Sequence, residues 1–242
     1  MKTVLRFALL GMLAWPIALH AAGPSKKALA HKPAARPTAT RDWSRTVVAT
    51  PEGGVRMGNP NAALKLVEFG SITCPHCAEF NERGGPILRS SYIRSGRLSW
   101  EYRPVMIFPT DPGIFLLLSC VGPGNFFPLT DQLYAQQHQW VDQLQNTSQD
   151  EQHRIAGLST LEQSAAMVRA AGVDKIFLRR GVPPARIDAC LADQPRLLKL
   201  AEVSRTASNL GVKGTPSFML NGKILEGVYG WEALEPKLKQ GG

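Results

Sequence analysis

The sequence EFGSITCPHC, residues 68–77, decides the fold, because an apolar strand runs directly into a Cys-x-x-Cys at the start of a helix. Two cysteines separated by two residues lie within one helical turn, so their sulfur atoms can close and reopen a disulfide. A purely structural disulfide is the alternative, but so small a ring restricts the unfolded chain little. We therefore predict that Cys74 and Cys77 form a redox-active pair.

Cys74 occupies the position with the greater expected reactivity. Unpaired backbone N–H groups and the positive end of the helix dipole favour a thiolate there. Pro75 suits the first helical turn because it has no N–H to lose, and the imidazole of His76 can stabilise the Cys74 anion. We expect a lowered Cys74 pKa, which makes a disulfide containing this sulfur easy to transfer to another protein.

Two other uses of paired cysteines fit the sequence poorly. A zinc site needs a second ligand pair, and the remaining cysteines, Cys120 and Cys190, stand alone far downstream. A c-type haem attachment needs His directly after the second cysteine, whereas this chain has Ala78 there. We therefore predict that the protein needs neither a metal nor an organic cofactor.

The first 21 residues have the pattern of a secretory signal peptide. Lys2 and Arg6 precede an apolar run, residues 7–19, that ends at small residues. This run is short for a membrane span and contains Pro16, which argues against a retained anchor. We expect an exported protein that is soluble in the periplasm, where cysteines can form lasting disulfides.

Residues 22–46 fit a disordered basic linker, since they hold three prolines, many alanines and one aromatic residue. The formal net charge of the whole chain is +9, but most of it lies in this linker and in the leader. A basic tail on a nearly neutral domain is typical of a solvated tether. We therefore predict no nucleic-acid partner.

The order of elements around the dithiol is strand, helix, strand. Residues 64–69 form an apolar strand, a helix follows Cys74 with a kink at residues 84–86, and residues 98–108 return as a strand. Glu68 is a carboxylate near the carboxyl end of the first strand. Either it reaches solvent or a structural partner, or it is the proton acceptor that thiol exchange requires beneath the dithiol.

From residue 109 to residue 192 the pattern is helical, which predicts an inserted all-α domain. The expected helices cover residues 114–121, 129–140, 160–171 and 185–191, with a polar connection over 146–157. Cys120 and Cys190 lie in two of these helices. They are either buried free thiols or a bridge closing a loop of about 70 residues, which stabilises a fold by roughly 4 kcal/mol.

After the helical block the chain returns to the sheet. The pattern predicts a helix over 197–210, strands over 217–220 and 224–228 joined by an Asn221-Gly222 turn, and a final helix over 231–240. We predict an α/β protein with a thioredoxin-like fold and an inserted α-helical domain. Residues 47–108 and 193–242 would form the thioredoxin-like domain, and residues 109–192 the insertion.

With these elements the chain resembles the DsbA family of exported thiol:disulfide oxidoreductases, over roughly residues 47–240. Cys-Pro-His-Cys follows Val-Glu-Phe, and Gly214-Thr215-Pro216 stands just before the strand hairpin. A Cys-x-x-Cys alone is a weak motif. Its combination with a downstream Thr-Pro, a helical block and a signal peptide is specific.

The resemblance implies roles for several residues. Thr215-Pro216 would be a cis peptide bond beside the dithiol, with the backbone from Gly214 available to pair with an extended substrate. Glu68 matches the family's carboxylate beneath the dithiol. Cys120 and Cys190 look like the second, structural disulfide found in one branch of the family.

The resemblance also implies a function. The oxidised Cys74-Cys77 pair would donate its disulfide to reduced, folding exported proteins, and a membrane quinone-linked oxidase of the DsbB type would restore it. The narrow DsbA group has Val before the cis proline, whereas Thr215 is also found in isomerases resembling DsbC. Those isomerases carry an amino-terminal dimerisation domain, for which residues 22–46 are too short. We therefore favour a monomeric oxidase, with an isomerase or reductase of the same fold, or a chaperone-like binding module, as alternatives.

Overall fold

The computed structural model describes residues 41–241. Within this range the strands are β1 Val47–Ala49, β2 Val55–Gly58, β3 Leu64–Gly70, β4 Leu98–Pro104, β5 Ser217–Leu220 and β6 Lys223–Ile224. They form one sheet in the order β1-β2-β4-β3-β5-β6. The predicted signal peptide and residues 22–40 of the predicted linker lie outside the described residues.

The dithiol follows the central strand of this sheet. β3 runs parallel to β4, with Leu66 opposite Trp100 and Glu68 opposite Tyr102, and antiparallel to β5 on its other side. Consecutive side chains of β3 from Leu66 onward are buried, so both faces of the strand are covered. The predicted α/β class with a central strand leading to the dithiol is confirmed.

The strand predicted over residues 98–108 is wrong in its last residues, because β4 ends at Pro104. The backbone N–H groups of Ile107 and Phe108 donate to the Asp111 carboxylate at 3.0 and 2.9 Å instead of to a neighbouring strand. The Asp111 side chain, which follows a few residues later in the chain, therefore holds this apolar segment as a loop.

The helices are α1 Pro75–Arg83, α2 Gly85–Ile87, a π-helix Leu88–Ile93, α3 Asp111–Cys120, α4 Pro123–Ala135, α5 Gln137–Gln145, α6 Gln149–Ala156, α7 Thr160–Ala170, α8 Val173–Arg179, α9 Pro184–Leu191, α10 Gln194–Asn209 and α11 Trp231–Gln240. The interruption predicted at residues 84–86 is confirmed, since α1 ends there and the chain continues as α2. The final helix has the predicted bounds.

Two details of the helical prediction are wrong. The single helix expected over 129–140 is two helices, because the backbone at Gln136 leaves helical geometry with φ −106° and ψ 10°. The polar connection expected over 146–157 contains α6, in which Ser148 accepts a backbone N–H as the cap and Ile155 is buried. One buried side chain in a polar helix gives too weak an apolar pattern to be read from sequence.

The hairpin near the carboxyl end follows its sequence signal. Asn221 and Gly222 adopt positive φ angles of 48° and 83°, as a two-residue hairpin turn requires. The returning strand is only two residues long rather than the predicted 224–228. Helix α10 begins three residues earlier than predicted because the Asp193 side chain accepts the backbone N–H of Arg196 and caps it.

The first described residues are ordered, although they fall within the linker that the sequence predicts to be disordered. Trp43–Arg45 form a short 3-10 helix, capped by Asp42, whose side chain accepts the Ser44 N–H. The Trp43 N–H donates to the carbonyl of Arg94 at 3.3 Å. The predicted linker boundary at residue 46 is therefore a few residues too late, because one tryptophan anchors its end.

A disulfide joins Cys120 at the end of α3 to Cys190 in α9, with an S–S distance of 2.07 Å and a sequence separation of 70. It ties the first helix after β4 to one of the last before α10. The division into a domain of residues 47–108 and 193–242 and an insertion of residues 109–192 stays a prediction. Across residues 41–241, none of the helices is long and apolar enough to cross a membrane.

Candidate active site

Cys74 caps the amino end of α1, at the point where the chain leaves β3. Its backbone is extended, with φ −75° and ψ 122°, and Pro75 is the first residue of the helix. Cys74 keeps 5% of its surface exposed, whereas Cys77 is fully buried, and both are free thiols. One sulfur therefore meets the surface and the other is enclosed beneath it.

The Cys74 sulfur faces the loop before β5. Its Sγ lies 3.2 Å from the carbonyl oxygen of Thr215, and the Thr215-Pro216 peptide bond is cis. The pKa of Cys74 is lowered to about 6, chiefly because the Cys77 thiol donates a hydrogen bond to the thiolate. Burial opposes this shift, while the Thr215 side chain and the backbone N–H groups of Cys77 and His76 add to it.

His76 lowers the pKa of Cys74 through its backbone N–H, whereas its ring is not among the groups that lower this pKa. The imidazole is 74% exposed, and its Nδ1 lies 3.7 Å from the Glu79 carboxylate. The backbone N–H of His76 is among the groups that lower the Cys74 pKa. The predicted stabilisation of the Cys74 anion by the imidazole stays a prediction.

Cys77 has the opposite electrostatic setting. Burial raises its pKa well above the ordinary value, and the hydrogen bond it donates to Cys74 and the negative charges of Cys74 and Glu68 raise it further. Cys77 therefore stays protonated at neutral pH, and anything that uses its sulfur as a nucleophile must first remove that proton.

Glu68 lies fully buried in β3 and does not reach solvent. The indole N–H of Trp100 donates to its Oε2 at 3.0 Å, while Oε1 has no hydrogen-bond partner among the described residues. Burial raises the pKa of Glu68 to about 8, against the hydrogen bond from Trp100 and the positive charge of Arg89. A carboxylic acid with this pKa carries a proton at neutral pH and can exchange it near that pH.

The structure places a second buried carboxylate, Asp111, beside the loop that leads to Cys74, and the sequence analysis missed it. It accepts the Ser71 hydroxyl at 2.9 Å and both the N–H and the hydroxyl of Thr73 at 3.3 and 3.0 Å. Its other oxygen accepts the N–H groups of Ile107 and Phe108, whose own side chains are exposed. Burial raises the Asp111 pKa, although these bonds oppose the shift. Asp-Pro at a helix start was the only sequence signal.

The helices α4 and α5 supply two more residues that the sequence analysis missed. The Tyr134 hydroxyl donates to the carbonyl of Ser71 at 3.1 Å and lies 3.0 Å from the Tyr102 hydroxyl. Because a hydroxyl has one proton, Tyr102 is then the donor in the second bond. Gln137 Nε2 donates to the carbonyls of Ile72 at 2.7 Å and Cys74 at 3.0 Å. No sequence signal separates Gln137 from the glutamines around it.

The rest of the site surrounds these groups. Gly214 precedes Thr215, and its carbonyl accepts the Ser217 hydroxyl at 2.8 Å. Over residues 41–241, no three His, Cys, Asp or Glu side chains are grouped as metal ligands would be. A cleft of about 390 Å³ opens beside the dithiol, and its lining includes Pro75, Glu79, Glu82, Asp131, Tyr134 and Gln137.

Thiol–disulfide exchange proteins of the thioredoxin-like class share this arrangement of a dithiol at a helix start, facing a cis proline at the end of a sheet. A family model described as thioredoxin matches residues 50–240, so the chain belongs to the thioredoxin family. The resemblance to DsbA proteins noted in the sequence is confirmed, since solved DsbA structures have the same fold.

Three similar proteins illustrate the relationship. A protein-disulfide isomerase from Novosphingobium aromaticivorans is 32% identical with a TM-score of 0.73, over 76% of this chain and 95% of that one. Wolbachia pipientis alpha-DsbA1 shares the fold at 16% identity and a TM-score of 0.62, over 80% of this chain and 92% of that one. A provisionally named protein-disulfide oxidoreductase of Rickettsia bellii is 27% identical over 71% of this chain. The matched part is only 58% of that relative's length.

Proposed function

We propose that the chain is a thiol:disulfide oxidoreductase that works as an oxidase and donates the Cys74–Cys77 disulfide to reduced proteins. The observation that carries this proposal is the opposite perturbation of the two thiols. The pKa of Cys74 is lowered to about 6, whereas that of Cys77 is raised by burial. A thiolate that is stable at neutral pH leaves readily and stabilises the reduced form, which makes the disulfide oxidising.

In the first step a substrate thiolate attacks the Sγ of Cys74 in the oxidised protein. The bond between the two active-site sulfur atoms breaks, and Cys77 leaves with the electron pair. Cys77 then takes up a proton, because its buried setting disfavours the anion. Glu68, with a pKa of about 8, holds that proton at neutral pH and is the proposed donor.

In the second step another substrate thiolate attacks the substrate sulfur of the mixed disulfide, and Cys74 leaves as a thiolate. The substrate has then lost two electrons and gained a disulfide, and the two electrons reside on the Cys74 thiolate and the Cys77 thiol. Glu68 recovers its proton from solvent. A further cycle requires an electron acceptor, which we propose is a membrane quinone-linked oxidase of the DsbB type.

The proposed substrates are reduced, folding proteins outside the cytosol, bound by a monomer. The backbone of Gly214 and Thr215 beside Pro216 is the proposed partner of an extended substrate, because the Thr215 carbonyl already lies 3.2 Å from the Cys74 sulfur. The Cys120–Cys190 bridge supports an oxidising compartment, since such disulfides persist outside the cytosol. The leader pattern of residues 1–21 supports export to the periplasm.

A disulfide isomerase is the second candidate. Two observations favour it: Thr215 precedes the cis proline, and the similar Novosphingobium protein is named a protein-disulfide isomerase. An isomerase works from the reduced form, in which the Cys74 thiolate attacks an incorrect substrate disulfide. The same low Cys74 pKa serves both directions, so the resting redox state of the dithiol separates them.

The reduction potential of the Cys74/Cys77 couple tests the proposal. Equilibration with glutathione buffers should give a value of about −120 mV, as for a strong oxidase, rather than the roughly −270 mV of a thioredoxin. The oxidised protein should also oxidise a reduced, unfolded protein in single turnover. The Cys77→Ser variant provides the control, since it cannot form the active-site disulfide and should release no oxidised product. A thioredoxin-like potential would refute the oxidase direction.

A further inference from the structure

Side chains of α4 and α5 hold the backbone of the loop that precedes Cys74. Gln137, which is 4% exposed, donates through Nε2 to the carbonyl oxygens of Ile72 and Cys74 at 2.7 and 3.0 Å. Tyr134, three residues earlier near the end of α4, donates to the carbonyl of Ser71 at 3.1 Å. None of these bonds takes part in the exchange steps proposed above, so they need a separate explanation.

The bond from Gln137 is one of two hydrogen bonds that fix the Cys74–Pro75 peptide plane. Pro75 has no N–H, so the Cys74 carbonyl is the only hydrogen-bonding group on the Cys74–Pro75 peptide. It accepts from the Ala78 N–H at 3.2 Å and from Gln137 at 3.0 Å. The orientation of this peptide sets the ψ angle of Cys74, which is 122°. That angle determines where the sulfur lies relative to the first N–H groups of α1.

The peptide between Ile72 and Thr73 is anchored at both ends. Gln137 holds its carbonyl oxygen, and its N–H donates to the Ser71 hydroxyl at 3.2 Å and to Asp111 at 3.3 Å. One buried amide therefore bridges two peptide planes on the approach to the nucleophile. A loop fixed at both planes cannot rotate the cysteine without breaking at least one of these bonds.

We propose that Gln137 is a positioning residue for thiol–disulfide exchange, which fixes the Cys74 carbonyl and thereby aims the Cys74 sulfur at the N–H groups of the α1 amino end. This inference rests on the proposed role of Cys74 as the attacked sulfur and extends it to a residue of the helical segment. Helix α5 thereby influences the reactivity of the Cys74 thiol at the amino end of α1.

The test replaces Gln137 with residues of similar size that lack the donor. In Gln137→Leu and Gln137→Met the thiolate absorbance of Cys74 should titrate about one pKa unit higher. The equilibrium constant for reduction by glutathione should fall about five- to tenfold. Gln137→Glu keeps the shape but presents an acceptor to two carbonyl oxygens, and should raise the pKa at least as much. Gln139→Leu is the matched control, because Gln139 is exposed in the same helix, and it should change neither quantity.

The outcomes separate this inference from the proposed function. Variants that melt at lower temperature but keep the wild-type Cys74 pKa and potential would show a purely structural role and overturn the inference. If Gln137→Leu does not fold, the same readings from Gln137→Met and Gln137→Glu decide. A wild-type protein whose Cys74 titrates at the ordinary value would refute the proposed function itself, whatever the variants do.

Discussion

The indole N–H of Trp100 donates to one oxygen of the Glu68 carboxylate at 3.0 Å and leaves the other oxygen without a partner among the described residues. A buried carboxylate with a single donor is better accommodated when protonated, which agrees with its raised pKa of about 8. The two residues lie on neighbouring strands, so the sheet itself holds the acid beneath the dithiol.

Stability should therefore fall with rising pH because of Glu68. A folded-state pKa raised from 4.5 to about 8 contributes stability that is fully present below pH 4.5 and is lost as the pH rises through about 8. Glu68→Gln removes this dependence, so at alkaline pH the variant should be more stable than the wild type, by up to about 5 kcal/mol.

Denaturant unfolding of the oxidised proteins at several pH values measures the difference, since neither active-site cysteine titrates in the disulfide form. The exposed Glu82→Gln serves as control, and parallel curves for wild type and Glu68→Gln would contradict the prediction.

Two substitutions at His76 separate its ring from its backbone. His76→Ala removes the exposed imidazole but keeps the N–H, and should raise the Cys74 pKa by less than about half a unit. His76→Pro removes the N–H in the first helical turn, where proline is tolerated, and should raise the Cys74 pKa by about one unit. Thiolate absorbance against pH gives both values. Equal shifts in the two variants would assign the effect to the imidazole.

The reduced protein should become more stable relative to the oxidised protein as the pH rises. The Cys74 pKa, lowered from 9.0 to about 6, contributes stability that is present above pH 9.0 and is lost as the pH falls through about 6. This amounts to about 1 kcal/mol at pH 7 and about 3 kcal/mol at pH 8, against a ring of four residues that contributes about 2 kcal/mol. Thermal melts of the reduced and oxidised forms at pH 6, 7 and 8, with the Cys120–Cys190 bridge verified by mass, should show the reduced form gaining steadily. An oxidised form that gains instead would argue for a reductase.

Loss of the Asp111 charge should destabilise the loop before Cys74. Asp111→Asn presents an amide N–H₂ to the donors of Ser71, Thr73, Ile107 and Phe108, so at least one donor loses its acceptor. The expected cost is about 3 kcal/mol of unfolding free energy. Urea unfolding measures it against the exposed Asp150→Asn. Equal stabilities of the two variants would mean that the donors find water instead.

Non-reducing peptide mapping should recover the linked pair Cys120 and Cys190, and removal of the bridge should lower stability. The double variant Cys120→Ala with Cys190→Ala opens a loop with a sequence separation of 70. In the chain-entropy model such a loop is worth about 4 kcal/mol. Alkylation of both cysteines without prior reduction would contradict the bridge.

The parts of the fold that could be predicted from sequence carry local signals. The strand before the dithiol is a run of apolar residues, and Asn221-Gly222 has few conformations other than a hairpin turn. The position of Glu68 follows from the same strand. These features depend on neighbours within a few residues, which the sequence shows directly.

The residues that hold the site could not be predicted, because their partners are far away in sequence. Gln136, Gln137 and Gln139 are the same residue type in one polar run, yet only Gln137 is buried, 63 residues from the Cys74 carbonyl that it binds. Asp111 accepts hydrogen bonds from Ser71 and Thr73, which lie 40 and 38 residues earlier in the chain. Hydrogen bonds between residues so far apart leave no periodicity in the sequence.

The Asp111 carboxylate has a mechanical consequence. One of its oxygens holds Thr73, the residue next to the nucleophile, and the other holds the backbone beneath the exposed side chains of Ile107 and Phe108. The Asp111 carboxylate therefore couples the two loops directly. A displacement of Ile107 and Phe108 would be transmitted to the backbone beside Cys74 through hydrogen bonds to the two oxygens of one carboxylate.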